Sequence, residues 1–354
     1  MTPAPLRRAL RGGIGRIRHV TPVPPRAATG PVARIYAAVE EQFGLLAPPV
    51  ALHSPDPILL AAAWTLLRET VLAAGTTTRA EREVVAAAVS LANACPYCVQ
   101  VHGAILGGIH GRADSAALAA GDLAGVADPR LRALAEWAWA GGRTAPPVAG
   151  ERMAEAIGVL FAFHMINRIV AVYLDESPLP PSLPAAAAGT ASALLGRLLA
   201  PTARRPVVPG AGMDLLPDAG SGPAWAAARP PLAAALARVS AAVAAAGSRV
   251  LGAAARAAVE AAVVAHVGHA ARPPALTADW ISPLLVDVPG ADQPATRLAL
   301  LTAVSPHRVR DAEVAAVRAV GAGDAELLAI TAWAAHCAAQ RAAAAAAEPT
   351  VAAA

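Results

Sequence analysis

The chain has 354 residues, of which 56% are hydrophobic and only 3% aromatic, which excludes a disordered composition and provides apolar side chains for a large core. Its 29 basic residues are all arginine and face 25 acidic ones, a formal charge of +4; this excludes lysine-based Schiff-base and P-loop chemistry and leaves no nucleic-acid footprint. Alanine fills roughly a quarter of the positions, a bias toward helices over sheets, so the fold class read from composition is all-α.

Arg7, Arg8, Arg11, Arg16 and Arg18 make the start basic, and residues 1–30 read as a flexible arm without the apolar middle of a signal peptide. A helix covers Val32 to Phe43 and is broken by Pro48 and Pro49; another runs from Asp56-Pro57 to Ala74 and stops at Gly75. Thr78-Arg79-Ala80-Glu81 is a capping-box pattern, opening a helix through Leu91 that ends at Asn93. Cys95-Pro96-Tyr97-Cys98 starts the next helix, with proline where a first turn accepts it and apolar positions through Ile109. Further helices are expected over Asp114 to Ala120, Asp128 to Ala140 and Met153 to Leu174, before a proline-rich stop at Pro178 to Pro181. Trp137, Trp139 and Met153 read as core.

Residues 201–223 are dense in Pro and Gly and read as a linker, followed by a second helical set over 224–347 and a tail, 348–354. Leu215-Leu216-Pro217, Ala245-Ala246-Gly247 and Gln340-Arg341 echo Leu45-Leu46-Ala47, Ala73-Ala74-Gly75 and Asn167-Arg168, each about 170 positions earlier, the pattern of a tandem duplication. Pro294 and Arg297 echo Pro129 and Arg132 at a smaller offset, so one connection in the second copy is shorter. In this register Gly268, Ala271 and Ala275 stand where the first copy has Cys95, Cys98 and His102, making the second copy a degenerate repeat without the dithiol. Arg238, Arg256, Glu260 and Arg341 interrupt the alanine-rich segments before membrane-spanning length. Three cysteines do not make a disulfide framework for export, so a soluble, cytoplasmic protein without membrane or nucleic-acid partners is expected.

The residues that carry chemistry are Cys95, Cys98 and His102, with Glu83 twelve positions before the first cysteine. Two cysteines three apart at a helix start can close a small disulfide ring, and the free amides and dipole there favour thiolate. His102 lies one turn beyond Cys98 on the same face, where it can take the thiol proton, which makes Cys98 the better-activated sulfur. Glu83 is on the preceding helix, and an antiparallel return would bring its carboxylate to the imidazole.

The run from Glu83 to His102, EVVAAAVSLANACPYCVQVH, resembles the Glu-x11-Cys-x-x-Cys-x-x-x-His signature of alkylhydroperoxidase D, within the carboxymuconolactone decarboxylase-like superfamily. Flanking stretches, PVARIYAAVEEQFGLLAPPVALHSP and FHMINRIVAVYLDESPLP, are similar too, so the module is read over 31–200. The resemblance implies an all-α helical bundle, packed in homo-oligomers, and a thiol peroxidase acting on organic hydroperoxides or hydrogen peroxide. It assigns Cys98 as peroxidatic, Cys95 as resolving, and His102 with Glu83 as the proton relay. It implies no bound cofactor beyond the redox-active disulfide, and dihydrolipoamide on a lipoylated protein as reductant, supplied from NADH through dihydrolipoamide dehydrogenase. The chain departs from the family at Tyr97, where established peroxidases carry a second histidine; a phenol is no base near neutral pH.

Blander readings stand beside each residue. Cys95 and Cys98 could be inert buried thiols, or zinc ligands with His102 and His110, although three ligands on one helix leave a fourth hard to supply. CPYC is also the glutaredoxin tetrapeptide, but there it follows a β-strand and here a capped helix. Glu83 is either solvent-facing in a first turn or the partner of His102, and His102 itself could be a satisfied core histidine. His164 is a packing residue or the edge of a substrate pocket, Cys337 a small buried filler, and His266 with His269 carry no assigned role. Two other functions fit the superfamily or the motif: a carboxymuconolactone decarboxylase-type lyase, which would not need the thiols, and a non-enzymatic redox sensor.

Overall fold

The computed structural model describes residues 11–179, 182–268 and 279–351. The fold is all-α, and among the described residues extended pairing is limited to one isolated bridge, Ala73 with Val207. Helix α1 spans Gly30–Gln42, and a short helical turn, Pro48–Ala51, leads toward α2, Pro57–Leu67. Asp56 opens α2 by accepting from the amides of Ile58 and Leu59 at 2.9 and 3.1 Å. A wider π turn, Arg68–Leu72, closes it. The Thr78–Glu81 capping box forms on both sides and starts α3, Arg79–Ala92. Beyond it come α4, Pro96–Ile109; α5, Arg112–Ala119; α6, Pro129–Trp139, capped by Asp128; and α7, Gly150–Tyr173. Helix α3 packs against α4, α6 and α7, and Val84 through Ser90 are buried.

Helix α8, Ala185–Ala203, was not legible in the sequence and packs on α4. Two glycines allow the close approach: a Cβ on Gly108 would lie 2.4 Å from the Gly196 carbonyl oxygen, and one on Gly196 would lie 2.2 Å from that of Ala104. The helix runs through Pro201 to Ala203, inside the stretch read as a linker. The rest of that stretch straps the first half. Ala74 donates to the Val207 carbonyl at 2.7 Å, Arg68 Nη2 to that of Val208 at 2.8 Å, and the Gly210 amide to Glu69 Oε2 at 2.9 Å. The adjacent buried Arg68 and Glu69 need those partners to satisfy their polar atoms.

The second half holds α9, Pro230–Val250; α10, Ala253–His266; α11, Gln293–Val304; α12, Asp311–Ala319; and α13, Asp324–Val351, which continues into the stretch read as a tail. The starts of α2, α3 and α7 recur as those of α9, α10 and α13 at offsets equal to within a residue, and α6 recurs as α11 about ten positions sooner. Helix α2 packs on α9 and α7 on α13. Each thus meets its own counterpart, as across the two-fold of a self-complementary dimer. Of the positions matching the dithiol, Gly268 has φ +78°, while Ala271 and Ala275 lie outside the described residues, as does His269.

Three expectations need correction. From residue 11 onward the basic arm is docked: Arg16 donates to the Pro178 carbonyl and to that of Leu179 at 2.7 Å, and the Arg18 amide to that of Tyr173 at 2.8 Å. Carbonyls at and beyond the end of a helix attract cations. The Thr21 amide then reaches Asp324 Oδ2 at 2.7 Å, tying the arm to the second half. Helices α7 and α9 are long and apolar enough to cross a membrane by length and composition, despite Arg238 in α9; most of α7 is buried inside the protein, so its apolar faces are core. Finally, Trp137 is buried at 1% exposure but Trp139 is 56% exposed, since residues two apart on a helix point to different sides.

Candidate active site

The dithiol sits at a helix junction built by backbone geometry. Ala94, between α3 and α4, adopts φ +50°. Its amide donates to the Leu91 carbonyl at 3.1 Å and that of Cys95 to Ser90 at 2.9 Å, closing α3. Cys95 thereby becomes the N-cap of α4, with Pro96 at the first helical position and Cys98 in the first turn. Both sulfurs are buried and hydrogen bonded to each other.

A polar cluster that sequence reasoning missed surrounds them. Asn167, on α7, reaches both sulfurs, and Ser90 reaches Cys98. The Asn167 amide is fixed from two sides: Oδ1 accepts from Asn93 Nδ2 at 2.9 Å and Nδ2 donates to Ser90 Oγ at 3.0 Å. Asn167 entered the sequence reading only as part of a repeat echo. The hydrogen bond from Cys98 outweighs burial and holds the Cys95 thiol below its ordinary range. Burial, then the contact with Cys95, pushes Cys98 well above it. Cys98 is the deeper group, and ionising it beside Cys95 is opposed on both counts.

His102 is 5% exposed, and its Nδ1 lies 2.7 Å from Glu83 Oε2. Glu83 is fully buried, and its Oε1 accepts from Arg79 Nε at 2.6 Å. Burial works against the Glu83 charge, but Arg79 and His102 outweigh it and hold the carboxyl below its usual range. The edge-to-face contact of Phe163 at 4.6 Å fixes the imidazole plane. Glu81 diverges to its cap and to Arg152.

A cavity of about 480 Å³ opens beside Cys98 and His102. Phe43, Leu45, Leu66 and Leu67, Val101 of α4, Met165, Ile166 and Ile169 of α7, and Leu195 of α8 give it an apolar wall. Cys95 does not line it. Tyr97 does, and burial, followed by Cys98, pushes its phenol up, so it is neutral. His164 does not line the cavity, so of its two readings the packing residue holds and the pocket edge does not. Arg168 Nη1 donates to the His164 carbonyl at 2.7 Å and Arg168 Nε to that of Ala303 at 2.8 Å, so this group packs toward the second half. Burial, then Arg168, pushes the His164 imidazole down to about 3. His53, which the sequence reading passed over inside a quoted stretch, lines the cavity at 3% exposure.

The remaining candidates are occupied elsewhere. His110 Nε2 lies 3.0 Å from Asp114 Oδ2. His266 packs edge-on against Trp280. Cys337 is half-buried, its thiol pushed up to about 12 by burial and by Glu260. Among the described residues no three His, Cys, Asp or Glu side chains gather to hold a metal ion. In the second half a groove of about 490 Å³ is lined by Ser221, Trp225, Ser240 and Gln340 and presents no thiol.

The carboxymuconolactone decarboxylase family pattern matches residues 59–140, the span that holds Glu83, Cys95, Cys98 and His102. Alkyl hydroperoxide reductase Rv2159c of Mycobacterium tuberculosis (strain ATCC 25618 / H37Rv) is 36% identical over 339 residues, 92% of this chain and 93% of that protein. The crystal structure of an alkylhydroperoxidase AhpD core, a peroxidase-related protein from Ralstonia eutropha JMP134, is 23% identical with a TM-score of 0.41, covering 51% of this chain and 97% of that one. The similarity to the mycobacterial protein spans both halves, and with the pattern match it shows that the chain belongs to the carboxymuconolactone decarboxylase family, among its alkylhydroperoxidase D-like members.

Proposed function

We propose that the protein is a thiol peroxidase that reduces organic hydroperoxides or hydrogen peroxide through a Cys95–Cys98 dithiol/disulfide cycle. The observation that carries this reading is that Cys98 and His102 line one apolar cavity while Glu83 anchors the imidazole from behind. The mycobacterial relative's name, alkyl hydroperoxide reductase, supports an oxidoreductase.

When substrate enters, His102 takes the Cys98 proton, which its position one turn along α4 allows. The Cys98 sulfur attacks the outer peroxide oxygen; an S–O bond forms, the O–O bond breaks, and the alkoxide leaves with the electron pair. His102 returns the proton, giving an alcohol and a Cys98 sulfenic acid. Cys95, already in contact with Cys98, attacks that sulfur and expels water, leaving the disulfide. The cycle needs an external two-electron dithiol, for which reduced lipoamide on a lipoylated protein is the candidate. Tyr97, a neutral phenol, can donate a hydrogen bond but not act as base.

The test is catalytic hydroperoxide consumption with reduced lipoamide as donor. The parent should turn over repeatedly and Cys98→Ser should not; parent-rate consumption by Cys98→Ser would eliminate the cycle. Turnover of a γ-carboxymuconolactone by a variant lacking both thiols would replace it with a lyase. Stoichiometric oxidation without turnover, coupled to a change in oligomer size, would replace it with a redox sensor.

A further inference from the structure

Helix α3 carries a buried cation without a partner among the described residues. Arg82 is 6% exposed, and its side chain makes no hydrogen bond and no ion pair there. Its Nε is fully enclosed without a partner, and the two terminal nitrogens, equally unpartnered, keep some accessible surface. Glu155 and Glu83 favour its charge from beyond ion-pair distance, while burial, then Arg79, pushes the guanidinium down to about 10, so near neutral pH it is still charged. Glu83, the next residue, is turned toward Arg79 and His102.

Arg82 lines a cavity of about 10 Å³ with Glu69 and Thr70 of the π turn, Glu155 of α7, and Arg229 at the entry to α9. Those other polar groups are committed elsewhere. Glu69 Oε1 pairs with Arg68, and its Oε2 accepts from the Gly210 amide at 2.9 Å. Glu155 Oε1 accepts from the Thr76 amide at 2.9 Å and lies 2.9 Å from Arg229 Nε; Oε2 accepts from the Thr77 amide at 2.7 Å and from the Thr77 hydroxyl. Arg229 directs its terminal nitrogens at the Ala74 carbonyl, 3.2 Å away, and at the exposed Glu151, 3.4 Å away. The Thr70 hydroxyl donates to the Leu66 carbonyl at 2.7 Å. Each carboxylate that faces the cavity thus has its own guanidinium, Arg68 for Glu69 and Arg229 for Glu155, and Arg82 is the cation left over.

A space of this volume admits one particle near the size of a water molecule. Water would accept a hydrogen bond from Arg82 but leave its charge uncompensated in a low-dielectric surrounding; a monatomic anion supplies both the acceptor and the countercharge. A sulfate or a carboxylic acid anion is too large.

We propose that this cavity binds one halide ion, chloride in ordinary solution, held by the terminal N–H groups of Arg82 and enclosed by the second half of the chain. The site shares no lining residue with the dithiol cavity, and it stands independently of the peroxidase reading. Arg82 belongs to the first half and Arg229 to the second, so the ion sits where the halves meet and is enclosed only when both are folded. Chloride therefore stabilises the folded chain by mass action.

The experiment uses the full chain. Urea unfolding is followed at constant ionic strength while chloride replaces gluconate, an anion too large for the cavity. One ion bound only by the folded state makes the logarithm of the folding constant rise with the logarithm of chloride concentration, toward a limiting slope of about 1. That rise is expected in the parent and is expected to vanish in Arg82→Met, which keeps an unbranched apolar stem and removes the charge. Parent crystals soaked in bromide give a readout that needs no variant: an anomalous-scattering peak against the Arg82 guanidinium is expected. A parent folding constant that ignores chloride, or bromide-soaked crystals without an anomalous peak in this cavity, means that water alone occupies it and overturns the proposal. A chloride dependence that persists unchanged in folded Arg82→Met places the ion elsewhere and overturns it as well.

Discussion

Glu83 and His102 are 19 residues apart in the chain and 2.7 Å apart in space. The short connection between α3 and α4 folds the second helix back along the first, so a carboxylate near the start of one meets an imidazole in the middle of the next. The carboxylate is inaccessible and the imidazole nearly so, with Arg79 supplying the compensating charge. A buried carboxylate held this way fixes the ring's orientation.

Glu83→Gln keeps the shape and removes the charge. We expect kcat/KM for hydroperoxide to fall about 10- to 100-fold, the usual effect of losing an orienting partner. KM should change little, because Glu83 does not line the cavity. Steady-state kinetics at fixed donor concentration check this; an unchanged kcat would show that His102 works without its carboxylate.

Asn167→Leu removes the amide that reaches both sulfurs and leaves Asn93 and Ser90 without their partner. The Asn167 contact favours thiolate on each sulfur, so the pH midpoint for alkylation of the dithiol by iodoacetamide should rise. Stability should drop by about 1–3 kcal/mol from the unsatisfied groups, read from urea unfolding.

Ala94 holds φ +50°, a left-handed conformation that costs a residue with a Cβ about 1–2 kcal/mol. Ala94→Gly should raise the urea midpoint and Ala94→Val lower it, since branching at Cβ sharpens the clash. Equal midpoints for all three would mean that the junction relaxes in solution.

His53, His164 and His336 are pushed down by burial to about 4, about 3 and about 4, against an ordinary 6.5. Below pH 6.5 the unfolded chain binds protons that the folded rings refuse. The contribution of these rings is therefore complete above 6.5 and is lost as pH falls toward 4. Glu83 and Glu155, held below 4.5, lose theirs only at still lower pH. His336→Gln, outside the cavity and able to keep the contact with Ser240, should flatten the fall in the urea midpoint between pH 6.5 and 4.

Local signals carried most of the architecture. Asp56, Thr78 with Glu81, and Asp128 each cap the helix that their spacing announces. Helix α8 escaped because Pro201 sits inside it and its fit depends on Gly108 meeting Gly196, a contact between residues far apart in the chain. In the site, Cys95, Cys98, His102 and Glu83 stood out because fixed spacing on two successive helices encodes their meeting. Asn167 and His53 did not, since each reaches the dithiol or its cavity from a separate element and neither belongs to a periodic pattern.

The most direct measurement counts free thiols and sulfenic acid after one equivalent of cumene hydroperoxide in the parent, Cys95→Ser and Cys98→Ser. The expected result is joint loss of two thiols in the parent, sulfenic acid accumulating in Cys95→Ser, and no reaction above background in Cys98→Ser. Sulfenic acid forming in Cys98→Ser instead, or thiols surviving in the parent, would contradict the assignment of Cys98 as the attacking sulfur.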